Sequence, residues 1–411
     1  MNPRPDAPGP LRRRGPRPLL LHLTLAMLRS SASITASPGS RSAWRPSSAQ
    51  FAQASARLAE ALGASGEAGE AAFRRAVLAE ALRQDRALIA GIAAYRRHPY
   101  SRTLPDPPVL WAEGETRLLD YGAGGRRAAP AVLFVPSLIN RAYVLDLCEG
   151  GSMLRWLARA GIRPLLLDWG WPAEAERSFT LTDYVAGRLE RALEAVPRRI
   201  VLAGYCMGGL LALAAAVRRP ERIRALALLA TPWDFHASGA ETAIALGRML
   251  PIFEPALALT GGLPVDLMQV LFAALDPFGV AAKYRSFSRL DPMSERARRF
   301  VALEDWLNDG VPLAQPVARE CLGGWYGANT PGRIMWRIAG LPVDPRGLSL
   351  PVFVSVPARD RIVPPESARA VAALLPATVL HAPAAGHIGM VAGSAAESAL
   401  WRPLCDWVRS L

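Results

Sequence analysis

Cys206 stands in a setting typical of a catalytic nucleophile. It is the centre of the run GYCMGG at 204–209, which follows an apolar run at 200–203 and precedes an apolar helical stretch. The small flanking residues predict a tight strand-to-helix turn that points the central side chain outward. The N-terminus of the following helix would stabilise a thiolate there. A buried cysteine in an ordinary glycine turn is the alternative, and the strand, the helix and the glycines argue against it.

A thiolate nucleophile needs a base, and the chain has only five histidines. In sheets with such a turn, the acid and the histidine follow the nucleophile in that order. His387, in AGHIG at 385–389 after the last predicted strand, is therefore the predicted base. Asp360 follows the preceding predicted strand and is the predicted acid, with a turn-capping aspartate as the alternative. Asp168 and Asp344 are weaker candidates.

Acyl transfer also needs two backbone N–H donors for the tetrahedral oxyanion. One is predicted at Met207, directly after the nucleophile. The other is predicted in the loop PSLIN at 136–140, at Leu138 or Ile139, and the sequence leaves both open.

Short apolar runs separated by helical stretches predict the scaffold. Most predicted strands are apolar throughout, as strands covered on both faces should be. The pattern predicts an α/β fold with a mostly parallel, doubly wound sheet. Strands are predicted at 109–112, 116–121, 131–135, 163–167, 199–203, 224–229, 350–356 and 378–381, and helices at 152–160, 181–195, 207–218, 366–374 and 397–410.

The same pattern predicts the domain organisation. A basic leader at 1–46 precedes a helical extension at 47–107, and the core is predicted at 108–232 and 350–411. Residues 233–349 are too long for a loop and are predicted to form an inserted helical cap. Its aromatic residues either pack in a core or line a substrate channel, and the channel candidates are Trp306, Trp325, Tyr326 and Trp336.

Composition excludes several classes of protein. The chain is 51% hydrophobic and 20% charged, which excludes a disordered or collagen-like protein. Of the net charge of +13, the first fifty residues carry +7, so no nucleic-acid role is expected. Four widely spaced cysteines favour neither a metal site nor a disulfide scaffold and predict a cytoplasmic setting. The leader's apolar run at 19–28 is too short to span a bilayer and fits a signal peptide, an interfacial helix or a docked tail.

Several motifs together resemble the polyhydroxyalkanoate synthases, which have a cysteine nucleophile in an α/β-hydrolase fold. They are GYCMGG, PSLINRAYVLDL at 136–147, LDW at 167–169, the segment at 180–184, D-x-IVP at 360–364 and GHIG at 386–389. The resemblance covers about 130–411 and implies Cys206 as nucleophile, Asp360 as acid and His387 as base. The chain departs from it at Arg361, where members often have histidine, and in its short N-terminal region.

The resemblance implies an acyltransferase that polymerises (R)-3-hydroxyacyl-CoA into a growing polyester and releases CoA, with no cofactor and no metal. It also implies a polymer granule surface as a location, a homodimer, and a second synthase subunit as a partner. Three alternatives stay open. They are a cysteine hydrolase such as dienelactone hydrolase, a thioesterase, esterase or polymer depolymerase, and a non-catalytic granule-coat protein.

Overall fold

The computed structural model describes residues 13–35, 49–124 and 129–411. Contacts divide the chain into two compact units. The first comprises Met1–Tyr100 and Gln269–Glu304, and the second Ser101–Met268 and Asp305–Leu411. This division differs from the predicted segments, because part of the predicted cap groups with the N-terminal helices.

The helices are numbered along the whole chain. They are α1 (Leu19–Thr35), α2 (Ala49–Arg97), α3 (Met153–Arg159), α4 (Glu190–Glu194), α5 (Met207–Arg218), α6 (Ala240–Gly247), α7 (Leu250–Thr260), α8 (Val265–Leu275), α9 (Gly279–Phe287), α10 (Glu295–Asn308), α11 (Gln315–Arg319), α12 (Pro365–Leu374), α13 (His387–Ala392) and α14 (Arg402–Ser410). Three further stretches, Asp183–Leu189, Glu320–Gly327 and Glu397–Trp401, are π-helical.

The first unit is helical. Helix α1 packs against α2 and α9, and Ala26 belongs to their common core. A Cβ on Gly91 would lie 2.0 Å from the carbonyl oxygen of Tyr284, so only glycine allows α2 to approach α9 this closely. The predicted leader at 1–46 thus includes a helix packed in this core, while residues 1–12 and 36–48 lie outside the described residues.

The second unit is built on an eight-stranded sheet. Its strands are β1 (Val109–Glu113), β2 (Thr116–Asp120), β3 (Ala131–Val135), β4 (Arg163–Asp168), β5 (Ile200–Tyr205), β6 (Ile223–Leu229), β7 (Val352–Ser355) and β8 (Thr378–His381). Their order is β1-β2-β4-β3-β5-β6-β7-β8. Pairs from β4 to β8 are parallel, and β2 is antiparallel to both neighbours.

The sheet confirms the predicted α/β class. Strands β3 and β5 are buried at every residue, because helices cover both faces and leave no polar side to alternate with. All eight strands were predictable from their apolar runs to within two residues at each end. The carboxyl ends of parallel strands meet at one edge, which is where such sheets carry their sites.

Among the described helices, one stretch is long and apolar enough to cross a membrane. It is Ala240–Thr260, which contains α6 and α7 and is 17% buried within the structure. Helices α8 and α9 reach that length only if they are taken together as one bent span.

Candidate active site

Cys206 lies at the sharp turn between β5 and α5. Its backbone has φ 56° and ψ −129°, a conformation that a residue with a side chain rarely adopts. Such strain costs about 1–3 kcal/mol and persists only where surrounding contacts impose it. The backbone N–H of Cys206 donates to the carbonyl of Leu229 at the end of the neighbouring β6, at 2.9 Å. The turn is therefore held against the sheet.

The three glycines of the turn are required by close backbone approaches. A Cβ on Gly204 would lie 2.3 Å from the Cα of Gly209. On Gly208 it would lie 2.1 Å from the carbonyl oxygen of Val135, and on Gly209 1.8 Å from Oγ1 of Thr231. Gly208 thus brings the start of α5 against the loop that follows β3.

His387 and Asp360 form a buried pair. The Nδ1–H of His387 donates to Oδ2 of Asp360 at 2.7 Å, and both residues are 7% exposed. The other carboxylate oxygen, Oδ1, accepts the N–H groups of Ile362 at 2.8 Å and Val363 at 2.9 Å. His387 is the first residue of the short helix α13, where the sequence predicted a loop. The backbone thus fixes the Asp360 carboxylate through Oδ1, and the carboxylate orients the imidazole through Oδ2.

Both Cys206 and Asp360 act on the pKa of this imidazole. Burial lowers the pKa of His387, but the negative charge of Cys206 and the hydrogen bond to Asp360 outweigh it and raise the pKa to about 10. The imidazolium form of His387 is thus favoured at neutral pH. The structure brings together the three residues that the sequence assigned to catalysis.

Tyr205 is a site residue that the sequence analysis missed. Its ring lies 5.1 Å from that of His387 at an angle of 34°, and its hydroxyl donates to the carbonyl of His387 at 3.3 Å. Burial raises the pKa of the Tyr205 hydroxyl well above its usual value, and the charges of Cys206 and Asp360 raise it further. The hydroxyl therefore stays protonated. Its place directly before the nucleophile was the available signal.

The two candidates for the second oxyanion donor differ in the structure. The N–H of Ile139 donates to Oγ of Ser137 at 3.2 Å. Within the described residues the N–H of Leu138 has no hydrogen-bond partner. Met207 is the first residue of α5, so no carbonyl of its own helix can accept its N–H. Within the described residues, the N–H groups of Leu138 and Met207 are therefore available as donors, and that of Ile139 is not.

The four candidate channel residues have different surroundings. Burial raises the pKa of Tyr326, and the charges of Cys206 and Cys321 raise it further. Trp325 and Trp336 pack edge-to-face at 5.4 Å, and Trp336 donates from Nε1 to Glu320 at 2.8 Å. Trp306 donates from Nε1 to the carbonyl of Arg141 at 2.7 Å. Of the four, Tyr326 is the one whose pKa responds to the charge of Cys206.

The segment that carries Tyr326 is anchored beyond the end of β6. Nε2–H of His236 donates to the carbonyl of Tyr326 at 2.8 Å. The side chain of Asn329 accepts from the N–H of Phe235 at 3.0 Å and donates to Asp234 at 2.8 Å. These bonds join the π-helical stretch Glu320–Gly327 and the residues after it to the segment that follows β6, and π-helical turns are frequent at functional sites.

The remaining candidates lie outside this constellation. Asp168 binds Arg117 at 3.0 Å, and Asp344 caps a short turn and binds Arg346 at 2.7 Å. Arg361 is exposed. Across the described part of the chain, no group of three or more His, Cys, Asp or Glu side chains is placed to hold a metal ion.

Comparisons with known proteins bear on both fold and family. A protein-family model described as "alpha/beta hydrolase fold" matches residues 130–256. Among solved structures, a thioesterase domain from the curacin biosynthetic pathway is 17% identical with a TM-score of 0.44, and covers 72% of this chain and 95% of its own. An α/β hydrolase fold protein from Nakamurella multipartita is 17% identical with a TM-score of 0.45, and covers 74% and 99%. The fold assignment rests on the family model and the sheet order.

Three curated relatives carry the name "Poly(3-hydroxyalkanoate) polymerase subunit PhaC". The relative from Synechocystis sp. is 30% identical over 67% of this chain and 77% of its own length. The relative from Haloferax mediterranei is 30% identical over 73% of this chain and 63% of its own, so the chain spans less than two thirds of that protein. The relative from Allochromatium vinosum is 27% identical over 70% and 83%.

Proposed function

The chain belongs to the poly(3-hydroxyalkanoate) polymerase family, and from that membership we propose that it polymerises (R)-3-hydroxyacyl-CoA through an acyl-Cys206 intermediate. The observation that carries the proposal is the buried hydrogen bond of 2.7 Å between His387 and Asp360, with the imidazole 5.1 Å from the ring of Tyr205, the residue directly before Cys206. A cysteine suits this reaction because a thioester keeps the acyl group reactive towards an alcohol.

In the acylation step, the Cys206 thiolate attacks the thioester carbon of the substrate. The carbonyl oxygen becomes an oxyanion that accepts hydrogen bonds from the backbone N–H groups of Met207 and Leu138. When the intermediate collapses, the carbon–sulfur bond to CoA breaks, and the imidazolium of His387 gives its proton to the departing sulfur. The products are free CoA and an acyl group on Cys206.

In the extension step, the 3-hydroxyl of another acyl group attacks the acyl-Cys206 thioester. His387, now neutral, takes the hydroxyl proton, an ester bond forms, and the bond to Cys206 sulfur breaks to restore the thiolate. Asp360 is the other candidate for this base. Its Oδ2 already accepts from His387 and its Oδ1 from two backbone N–H groups, which favours His387 as base and Asp360 as the group that orients it.

Polymerisation further requires that the alcohol reaches the thioester before water does. Tyr326 supports this requirement, because its raised pKa keeps the hydroxyl protonated. A neutral hydroxyl can donate a hydrogen bond to the acyl group without competing for its proton. Exclusion of water by the residues around Tyr326 would therefore direct the acyl group to the growing chain.

The proposal includes the setting of the enzyme. The protein acts in the cytoplasm at the surface of polyester granules, without a cofactor, since the CoA thioester itself supplies the activated acyl group. The word "subunit" in the names of the relatives supports a second synthase subunit as partner. A homodimer is proposed on the family resemblance alone.

The test is to supply 3-hydroxybutyryl-CoA and to measure CoA, turbidity and free 3-hydroxybutyrate together. We expect CoA release with rising turbidity and little free acid, and neither in Cys206→Ala. CoA release that yields only the free acid, even after a cognate partner subunit is added, would contradict the polymerase proposal and indicate a thioesterase.

A further inference from the structure

Residues 306–311 lie against the loop that carries Leu138. Four contacts join the two segments within the second unit. They are Trp306 Nε1–H to the carbonyl of Arg141 at 2.7 Å, the hydroxyl of Tyr143 to Oδ2 of Asp309 at 3.2 Å, Val311 N–H to the carbonyl of Ile139 at 2.9 Å, and an antiparallel bridge between Asn140 and Gly310. The two segments are thus paired from residue 139 to residue 143.

The contacts on this loop bracket Leu138. On one side, Trp169 donates from Nε1 to the carbonyl of Pro136 at 3.0 Å. On the other side, Ile139 is held by Val311. Leu138 itself is 5% exposed and its N–H is unused within the described residues. The direction of that N–H therefore depends on the anchors of its neighbours.

An oxyanion hole works only if its donors are fixed before the charge develops. Removing one donor costs about 10²–10³-fold in rate, and loose positioning costs part of that. The Met207 donor is fixed by the turn and by α5. The Leu138 donor lies in a loop, where the backbone has no ladder or helix of its own to hold it.

We propose that residues 306–311 position the oxyanion hole, with Trp306 as the main positioning residue. The inference deepens the proposed acyl-transfer chemistry at Cys206 and rests on it. Trp306 is 3% exposed, and its indole N–H holds the carbonyl of Arg141, three residues after Leu138. Trp306 then acts through the loop and not as a wall of the substrate channel. Any displacement of residues 306–311 would slow acylation without changing the Cys206–His387–Asp360 contacts.

The test compares two reactions of Cys206. Acylation by 3-hydroxybutyryl-CoA passes through an oxyanion and is followed as the first burst of CoA. Alkylation by iodoacetamide displaces iodide from a saturated carbon, so it needs the thiolate but no oxyanion hole. The variant is Trp306→Phe, which keeps an aromatic ring and removes the indole N–H. The matched control is Trp401→Phe, which removes an indole hydrogen bond of 3.0 Å to the carbonyl of Val391 in the same unit.

For Trp306→Phe we expect acylation about tenfold slower, since the donor is loosened and not removed, with alkylation within about twofold of the unmodified protein. Trp401→Phe should keep both rates. Equal acylation in Trp306→Phe and the unmodified protein would overturn the inference, as would equal losses in both reactions.

Tyr143→Phe provides a second variant if Trp306→Phe does not fold. It removes one hydroxyl from the same interface, and we expect acylation about twofold to threefold slower with unchanged alkylation. An unchanged ratio of the two rates would again overturn the inference. If the proposed polymerase function is wrong, the product is free acid in place of polyester. The ratio of the acylation rate to the alkylation rate can still be measured in that case. If the CoA thioester does not react, p-nitrophenyl butyrate supplies the same type of intermediate.

Discussion

Asp360→Asn should disable the site while leaving its shape intact. The carboxylate accepts one bond from Nδ1–H of His387 through Oδ2 and two backbone bonds, from Ile362 and Val363, through Oδ1. In the variant, the amide oxygen can keep the two backbone donors only if the amide NH₂ faces His387. Nδ1 must then accept, so the proton moves to Nε2, which faces Cys206. This tautomer cannot take a proton from the thiol or from the incoming hydroxyl.

The expected loss is large because the wrong tautomer blocks both steps of the reaction. The same substitution in a serine triad costs about 10⁴-fold, which corresponds to about 5 kcal/mol of transition-state stabilisation. His387→Ala should lose at least as much, because it removes the base itself. The double variant should be little worse than His387→Ala, since members of one catalytic unit are not additive.

The pH dependence provides a second measurement on Asp360→Asn. The pKa of His387 is raised from 6.5 to about 10 in the folded protein. The imidazolium therefore contributes stability in full below about pH 6.5, and that contribution is lost as the pH rises through about 10. Because Asp360 is one cause of the raised pKa, the alkaline limb of CoA release should move to lower pH in the variant.

The assay is single-turnover CoA release from pH 6 to above pH 10, with thermal unfolding at each pH as a control for folding. A loss below about tenfold, or an alkaline limb that does not move, would contradict the assigned role of Asp360. Losses of Asp360→Asn and His387→Ala that simply multiply would show that Asp360 acts independently, for example as the base for the incoming hydroxyl.

Three other predictions concern the nucleophile, its reactivity and the exposed face of α1. Cys206→Ala should abolish CoA release and Cys206→Ser should reduce it severely. Thermal unfolding should stay close to that of the unmodified protein, because Cys206 is a turn residue and not a core residue. Near-normal turnover in Cys206→Ala would contradict the proposed mechanism. Iodoacetamide should modify Cys206 before the other cysteines, since Cys148 and Cys405 are buried and burial raises the pKa of Cys321, and peptide mapping would contradict this by finding another site first. Replacing the exposed Leu20, Met27 and Leu28 of α1 with serine should weaken binding to polyester granules in a sedimentation assay while CoA release continues, and unchanged sedimentation would exclude α1 as an interfacial helix.

Local pattern was enough to predict the scaffold and the position of the candidate nucleophile at the strand-to-helix turn. The buried strands appear as unbroken apolar runs, and GYCMGG at 204–209 contains the glycines that its own backbone contacts demand. Chain order then identified Asp360 and His387, because parallel strands bring their carboxyl ends to one edge. These features depend on residues that are close in sequence or on topology that follows from alternation.

Contacts distant in sequence were not predictable. Nothing in the sequence near Leu138 indicates that the hydroxyl of Ser137 accepts a hydrogen bond from the N–H of Ile139. Nor does it indicate that Trp306 donates to the carbonyl of Arg141, 165 residues away in the chain. The helix at 19–35 was predicted as part of a separate leader because its run is short and basic at one end. Its packing against α2 depends on residues far along the chain.

The most direct test of the account is the mass of the peptide that contains Cys206 after brief reaction with 3-hydroxybutyryl-CoA and acid quenching. We expect a series of adducts on Cys206 that differ by one hydroxyacyl unit, that lengthen with time and that are absent in Cys206→Ala. A single hydroxyacyl unit that never lengthens while free acid accumulates would contradict polymerisation, and an unmodified Cys206 during CoA release would contradict the covalent intermediate itself.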